Sequence, residues 1–148
     1  MKFLLLPLAA MALNAQTVDA WRPIQFLLGE WVGQGAGTPG ASAGACSFTL
    51  DLQRKVVVRK SYAEAPTYRH EDLMVIYFEK ALKAIYFDSE DHVIHYTVES
   101  SPGEVRFVSE QYRLLYRKSG EDKLSLDFDV AAPGKPFANY LHATLRKK

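Results

Sequence analysis

Short apolar runs and alternating stretches, divided by turn residues, dominate this chain, and helical periodicity is nearly absent. The cleanest alternation sets Leu124, Leu126, Phe128 and Val130 against Ser125, Asp127 and Asp129, a strand with one buried face and one wet face. Residues 29–35, 45–53, 55–63, 70–78, 83–88, 91–99, 104–109, 111–117, 123–131 and 139–146 are predicted strands, many of them rich in Val, Ile, Tyr and Phe. Connections as short as Ser101-Pro102-Gly103 suit antiparallel hairpins and leave no room for parallel crossovers. Only residues 22–28 read as a helix, with Pro23 in the first turn. Two longer connections, 36–45 and 132–138, are predicted loops of the kind that border a binding mouth. Ten sequential antiparallel strands fit a sandwich or a closed barrel, and only the barrel removes exposed edges. The expectation is an all-β, antiparallel up-and-down β-barrel of about ten strands, with a short N-terminal helix over one end.

The start of the chain reads differently. Met1-Lys2 is followed by an apolar run over residues 3–13 and by Leu13-Asn14-Ala15, which ends on a small residue as a secretory signal does. The run is too short to span a bilayer, which takes about twenty residues. The expected division is a signal peptide over 1–15 and a single barrel domain over 16–148, with a second candidate cut after Ala20. An exported protein, periplasmic or secreted and not inserted in a membrane, follows from that reading. Removing Lys2 leaves 17 basic against 17 acidic groups, so the mature chain is formally neutral. Neutrality disfavours nucleic acid as a partner, because binding phosphates needs a basic excess or patch. Cys46 is the lone cysteine, so no internal disulfide supports the fold and the core must do so alone.

Candidate chemistry is sparse. His70 and Asp72 share a strand face with Met74, Ile76 and Phe78. If that face is interior, a histidine and a carboxylate enter the barrel near one end. Tyr86, either His95 or Tyr96, and either Arg59 or Tyr62 could then join them in a polar cluster that orients a ligand or moves a proton. An exterior placement, with ordinary surface pairing, fits the same pattern. His92 and His95 stand three apart on a strand and face opposite sides, so they do not form a metal pair. Asp88, Glu90 and Asp91 lack calcium-loop spacing. Nucleophile-elbow, Ser-x-x-Lys and phosphate-loop signatures are absent.

Phe26-Leu27-Leu28-Gly29-Glu30-Trp31, a short apolar helix followed by Gly-x-Trp and a strand, resembles the opening of calycin-type barrels. The resemblance implies a calycin-like barrel closed at the bottom by Trp31, with Arg146 the candidate cation on its ring. Leu27 to Gly35 and Tyr140-Leu141-His142-Ala143-Thr144-Leu145-Arg146-Lys147 also resemble the two ends of the nitrobindin-like, haem-binding β-barrel group. In that group the first histidine of the last-strand motif ligates iron; here it falls on Tyr140, with His142 two residues on. Haem is therefore the cofactor that the resemblance implies, held by Tyr140 or His142, since a phenolate is also able to ligate haem iron. No other metal site is expected.

The leading expectation is an exported module that binds a small apolar or aromatic molecule inside the barrel. Its apolar walls would include Met74, Ile76, Leu126 and Phe128. Its polar positions would be His70, Asp72, Tyr86, Tyr140 and His142. Haem-linked nitric-oxide or peroxynitrite chemistry is the alternative from resemblance. A cofactor-free enzyme using His70 and Asp72 is the alternative from the residues themselves.

Overall fold

The computed structural model describes residues 20–37 and 42–148. The expected signal peptide over 1–15, residues 16–19 and residues 38–41 of the first long connection lie outside them. Among the described residues, a 3-10 helix, Arg22–Leu27, precedes ten strands. These are β1 (Gly29–Gly37), β2 (Ser42–Asp51), β3 (Val56–Ala65), β4 (Tyr68–Glu79) and β5 (Ala81–Asp88). They continue with β6 (Val93–Ser101), β7 (Glu104–Val108), β8 (Tyr112–Gly120), β9 (Lys123–Val130) and β10 (Ala138–Lys147). Every strand pairs antiparallel with its neighbours in sequence, and β1 pairs with β10 to close the barrel. No described helix is long and apolar enough to cross a membrane.

Alternation fills the lower barrel. Phe48, Val57, Met74, Ile76, Val105, Phe107, Tyr116 and Leu124 are fully buried and form one core with Trp31 and Leu145. Ile24 and Leu27 of the helix are also fully buried, so the helix plugs this end as the sequence suggests. Trp31 sits on the plug, its indole N–H donating to the Leu27 carbonyl at 2.7 Å. The cation over its ring is not Arg146. Trp31 pairs with Lys147 in the register, whose ammonium lies 5.6 Å from the ring centre, while Arg146 lies opposite the exposed Val32. Trp21 ties down the adjacent β2–β3 turn, where Leu52, Gln53 and Arg54 all have left-handed backbones, by donating its indole N–H to the Arg54 carbonyl at 2.9 Å.

Two further sequence expectations change. The predicted loop 36–45 is largely strand, because β1 runs to Gly37 and β2 starts at Ser42. Its Gly and Ala residues look like loop composition but serve close strand approach: a Cβ at Gly44 would collide with the Tyr62 carbonyl oxygen of β3. The second change is in β10, where the register slips between Asn139 and Leu141 and leaves Tyr140 as an extra residue. Strict alternation, which would put Tyr140 and His142, two residues apart, on one face, does not hold across this stretch. Leu141 lies opposite Phe128, and His142 lies opposite Asp127 on the outer face.

Candidate functional site

A polar layer crosses the barrel above the filled core. On β3, Val57, Arg59, Ser61 and Ala63 share the inner face, so the phase of the strand carries Arg59 into the interior, where it is 4% exposed. Its Nε donates to the Tyr116 hydroxyl at 2.7 Å, and its Nη1 donates to Asp72 Oδ1. Asp72, opposite Ser61 on β4, is itself only 7% exposed in its side chain. Burial alone would lower the Arg59 pKa, but the Asp72 carboxylate together with Tyr116, Cys46 and Tyr86 more than offsets it, so the pKa is raised and the guanidinium stays charged. The Cys46 thiol lies in the same layer, its pKa raised by burial against the opposing influence of Arg59.

The layer leads outward through His70. Its Nε2 is 3.7 Å from Asp72 Oδ2 and 3.1 Å from the Tyr86 hydroxyl; its Nδ1 is 3.3 Å from Glu90 Oε1. The Tyr68 hydroxyl donates to the same Glu90 oxygen at 2.6 Å. Burial and that hydrogen bond push the Tyr68 pKa up to about 12, while Tyr68 and His70 hold Glu90 below its ordinary value. Tyr86 in turn donates to Asp88 at 3.3 Å. Burial pushes the Asp88 carboxyl up, but backbone N–H groups of His92 and Glu90 and the His92 ring more than offset it, so its pKa is lowered.

That depression has a sign. Stability contributed by Asp88 is present above the ordinary carboxylate pKa near 3.9 and is lost as pH falls through the lower folded-state value. The urea midpoint should therefore drop between about pH 5 and pH 3. Asp88→Asn should flatten this limb; an unchanged slope in the variant would count against the account.

Above Arg59 and Asp72 lies a cavity of about 130 Å³. One side carries Cys46, Arg59, Asp72 and His70; the other is apolar, with Leu114, Leu126, Phe128 and Leu141. Gly35, Gly44, Ala63 and Ala143 supply the remaining, low-relief wall. Phe128 stacks on Tyr112 at 6.0 Å and meets Tyr140 edge-on at 5.9 Å, forming an aromatic rim.

The candidate residues of the sequence separate accordingly. His70 and Asp72 are inside and border the cavity, as do Leu126 and Phe128. Tyr86 stands behind His70 as its hydrogen-bond partner. Met74 and Ile76 are buried in the filled core below and do not line the cavity. Of the paired options, Arg59 and Tyr96 are interior; Tyr62 is on the outside beneath the Arg69 guanidinium, and His95 has the opposite phase to buried Tyr96. His92 stands in the turn before β6, its Nδ1 on Asp88. No cluster of described residues has the makings of a metal site. Sequence reasoning did not single out Tyr116, the hydroxyl under Arg59, or Glu90 and Tyr68, which hold His70 from outside.

The haem expectation meets a poor fit. His142 is 53% exposed in its side chain and donates from the outer face toward Asp127 Oδ1 at 2.7 Å, so it offers no ligand to the interior. Tyr140, 41% exposed, rests edge-on against Phe128 at the rim and does not line the cavity. A cavity of 130 Å³ is also small beside the ~300–1,000 Å³ pockets that hold drug-sized ligands. The residues present do not fit a haem.

No protein-family model and no curated protein matches the sequence. Among solved structures, the fold is similar to that of EF1p2_mFAP2b bound to DFHBI, with a TM-score of 0.51 and 11% identity over 87% of this chain and 99% of that one. A redesigned beta barrel gives a TM-score of 0.50 and 10% identity over 86% and 96%. Rv2717c from M. tuberculosis gives a TM-score of 0.65 and 16% identity over 87% of this chain and 97% of that one. At these identities the likeness establishes the architecture, a closed antiparallel barrel of ten strands among the described residues.

Proposed function

We propose that this chain is an exported small-molecule-binding barrel that holds one compact, largely apolar ligand in the cavity above Arg59 and Asp72. The observation that carries the reading is the cavity itself. A barrel of about eight strands is just wide enough to be filled by side chains or to hold one small ligand, and width grows with strand number; in this ten-stranded barrel about 130 Å³ is left between an apolar wall and a buried ion pair. Mostly apolar walls with a few convergent polar groups are the usual makeup of a ligand site. That EF1p2_mFAP2b, of the same fold, is bound to DFHBI makes the fold compatible with this role. Export rests on the leader over residues 1–15, and the formal neutrality of the rest directs the role to the interior.

Native mass spectrometry of the chain purified from its own host tests both parts. The expected spectrum has a mature mass that starts after Ala15 or Ala20, plus adducts of one small molecule. Ala143→Leu, which fills the cavity from β10, should remove the adduct and leave the protein folded. An adduct that survives in Ala143→Leu would place the ligand elsewhere. A full-length mass would overturn export.

Proton transfer is a second reading, favoured by one observation. His70 Nε2 lies between Asp72 and the Tyr86 hydroxyl at the border of the cavity. It predicts that the retained molecule is converted on incubation, and that His70→Gln retains it unconverted.

A further inference from the structure

The buried guanidinium that borders the cavity is only partly used. Arg59 donates from Nε to Tyr116 and from Nη1 to Asp72, and its Nη2 amino group has no protein acceptor among the described residues. No described side-chain polar atom is both fully enclosed and unpaired, so Nη2 keeps open space beside it. Arg59 lines the cavity and is 4% exposed, and the open space beside Nη2 is assigned to that cavity as part of the inference. A buried N–H edge facing a largely apolar space is a donor waiting for an acceptor.

The charge balance restricts what that acceptor is. Asp72 already neutralises Arg59 within the layer, and both side chains are nearly excluded from water. A ligand carboxylate would bring a second anion to one guanidinium in a poorly solvated space, and a ligand ammonium would bring a second cation. Neither sign is compensated within the Arg59–Asp72 pair, and at pH 8, above the ordinary imidazole pKa, a free histidine would add no cation. A carbonyl or ether oxygen accepts from Nη2 without adding charge.

Shape restricts the remainder. The cavity is close to the ~150 Å³ of an apolar cavity that holds one benzene ring. Its walls set small residues such as Gly35, Ala63 and Ala143 against Leu126, Phe128 and Leu141. From this, and resting on the binding function above, we infer that the ligand is a neutral single-ring compound with one carbonyl-type acceptor, received by the Nη2 edge of Arg59.

A matched series tests this at pH 8 on the mature chain: acetophenone, ethylbenzene, benzoate and benzylamine, titrated by calorimetry and by two-dimensional NMR of the arginine Nε–H groups. Acetophenone should bind about tenfold or more tightly than ethylbenzene, and the two charged compounds should bind more weakly than either. The comparison is demanding, because water favours the ketone more than the hydrocarbon and works against the expected order. The Nε–H signal of Arg59, already held on Tyr116, should shift more with acetophenone than with ethylbenzene, which acts on it only through its ring current. Ala143→Leu should abolish both titrations. Ethylbenzene binding as well as acetophenone would leave the binding function standing and overturn the acceptor. Benzoate or benzylamine binding tightest would overturn the charge argument. If none of the four binds at millimolar concentration, the single-ring class is wrong. The adduct seen or missed in native mass spectrometry then decides the binding function separately.

Discussion

Asp72→Ala should destabilise the barrel by about 3–5 kcal/mol, because it strands a buried guanidinium without its counter-charge. For a domain of this length that corresponds to a fall in Tm of roughly 10–20 °C. The size follows from the asymmetry of buried ion pairs. Taking both charges out of water is expensive, their contact only offsets it, and removing one partner leaves the expense without the offset. Replacing the whole layer is therefore expected to be much milder. Arg59→Met/Asp72→Leu/Tyr116→Phe removes the pair together with the hydroxyl that Arg59 holds, and should recover most of the loss. Thermal and urea unfolding of the single and triple variants measure the difference. A triple variant as unstable as Asp72→Ala would mean that the layer supports the barrel in its own right.

The second large effect belongs to the closed end. Trp31→Ala is expected to lose about 3–5 kcal/mol, the usual range for truncating a buried aromatic side chain. Three contacts go together: packing against the core, the hydrogen bond to the Leu27 carbonyl, and the Lys147 ammonium over the ring. Trp31→Phe retains most of the packing but leaves the Leu27 carbonyl unpaired, and should lose roughly 1–3 kcal/mol. Urea midpoints of the two variants provide the comparison. A Trp31→Ala loss below about 1 kcal/mol would show that the helix seals the barrel without the indole.

The alternation of short runs made the ten strands and the closed barrel legible, because a period of two with brief connections allows little else. The site was legible only in part. His70 and Asp72 precede Met74 and Ile76 on one face, so burial of the latter carries the former inside. Arg59 was harder to separate from Tyr62. Val56-Val57-Val58 is apolar on both phases and Arg59-Lys60 is basic on both, so only pairing with β2 and β4 fixes the phase. The slip at Tyr140 leaves no trace in the pattern, since a bulge adds one residue without a glycine or proline to mark it. A shift of one residue in the β1–β10 register likewise decides between Lys147 and Arg146 over Trp31, and hydropathy does not distinguish two adjacent bases. Tyr116 alternates with Leu114 like any core residue, so its hydroxyl became part of the site only once Arg59 was placed against it.

The pairing of β1 with β10 carries a kinetic consequence. Nine of the ten ladders join strands that follow one another in sequence, so each of them forms by closing a short loop. The remaining seam, Trp31 against Lys147, spans nearly the whole domain and is the one that must wait. Loop-closure entropy grows only logarithmically with length, so the wait is set less by distance than by having the other ladders already in register. Folding should therefore resemble a strip that curls as it lengthens and is stitched shut last, with the plug helix and the start of β1 adjoining the stitch.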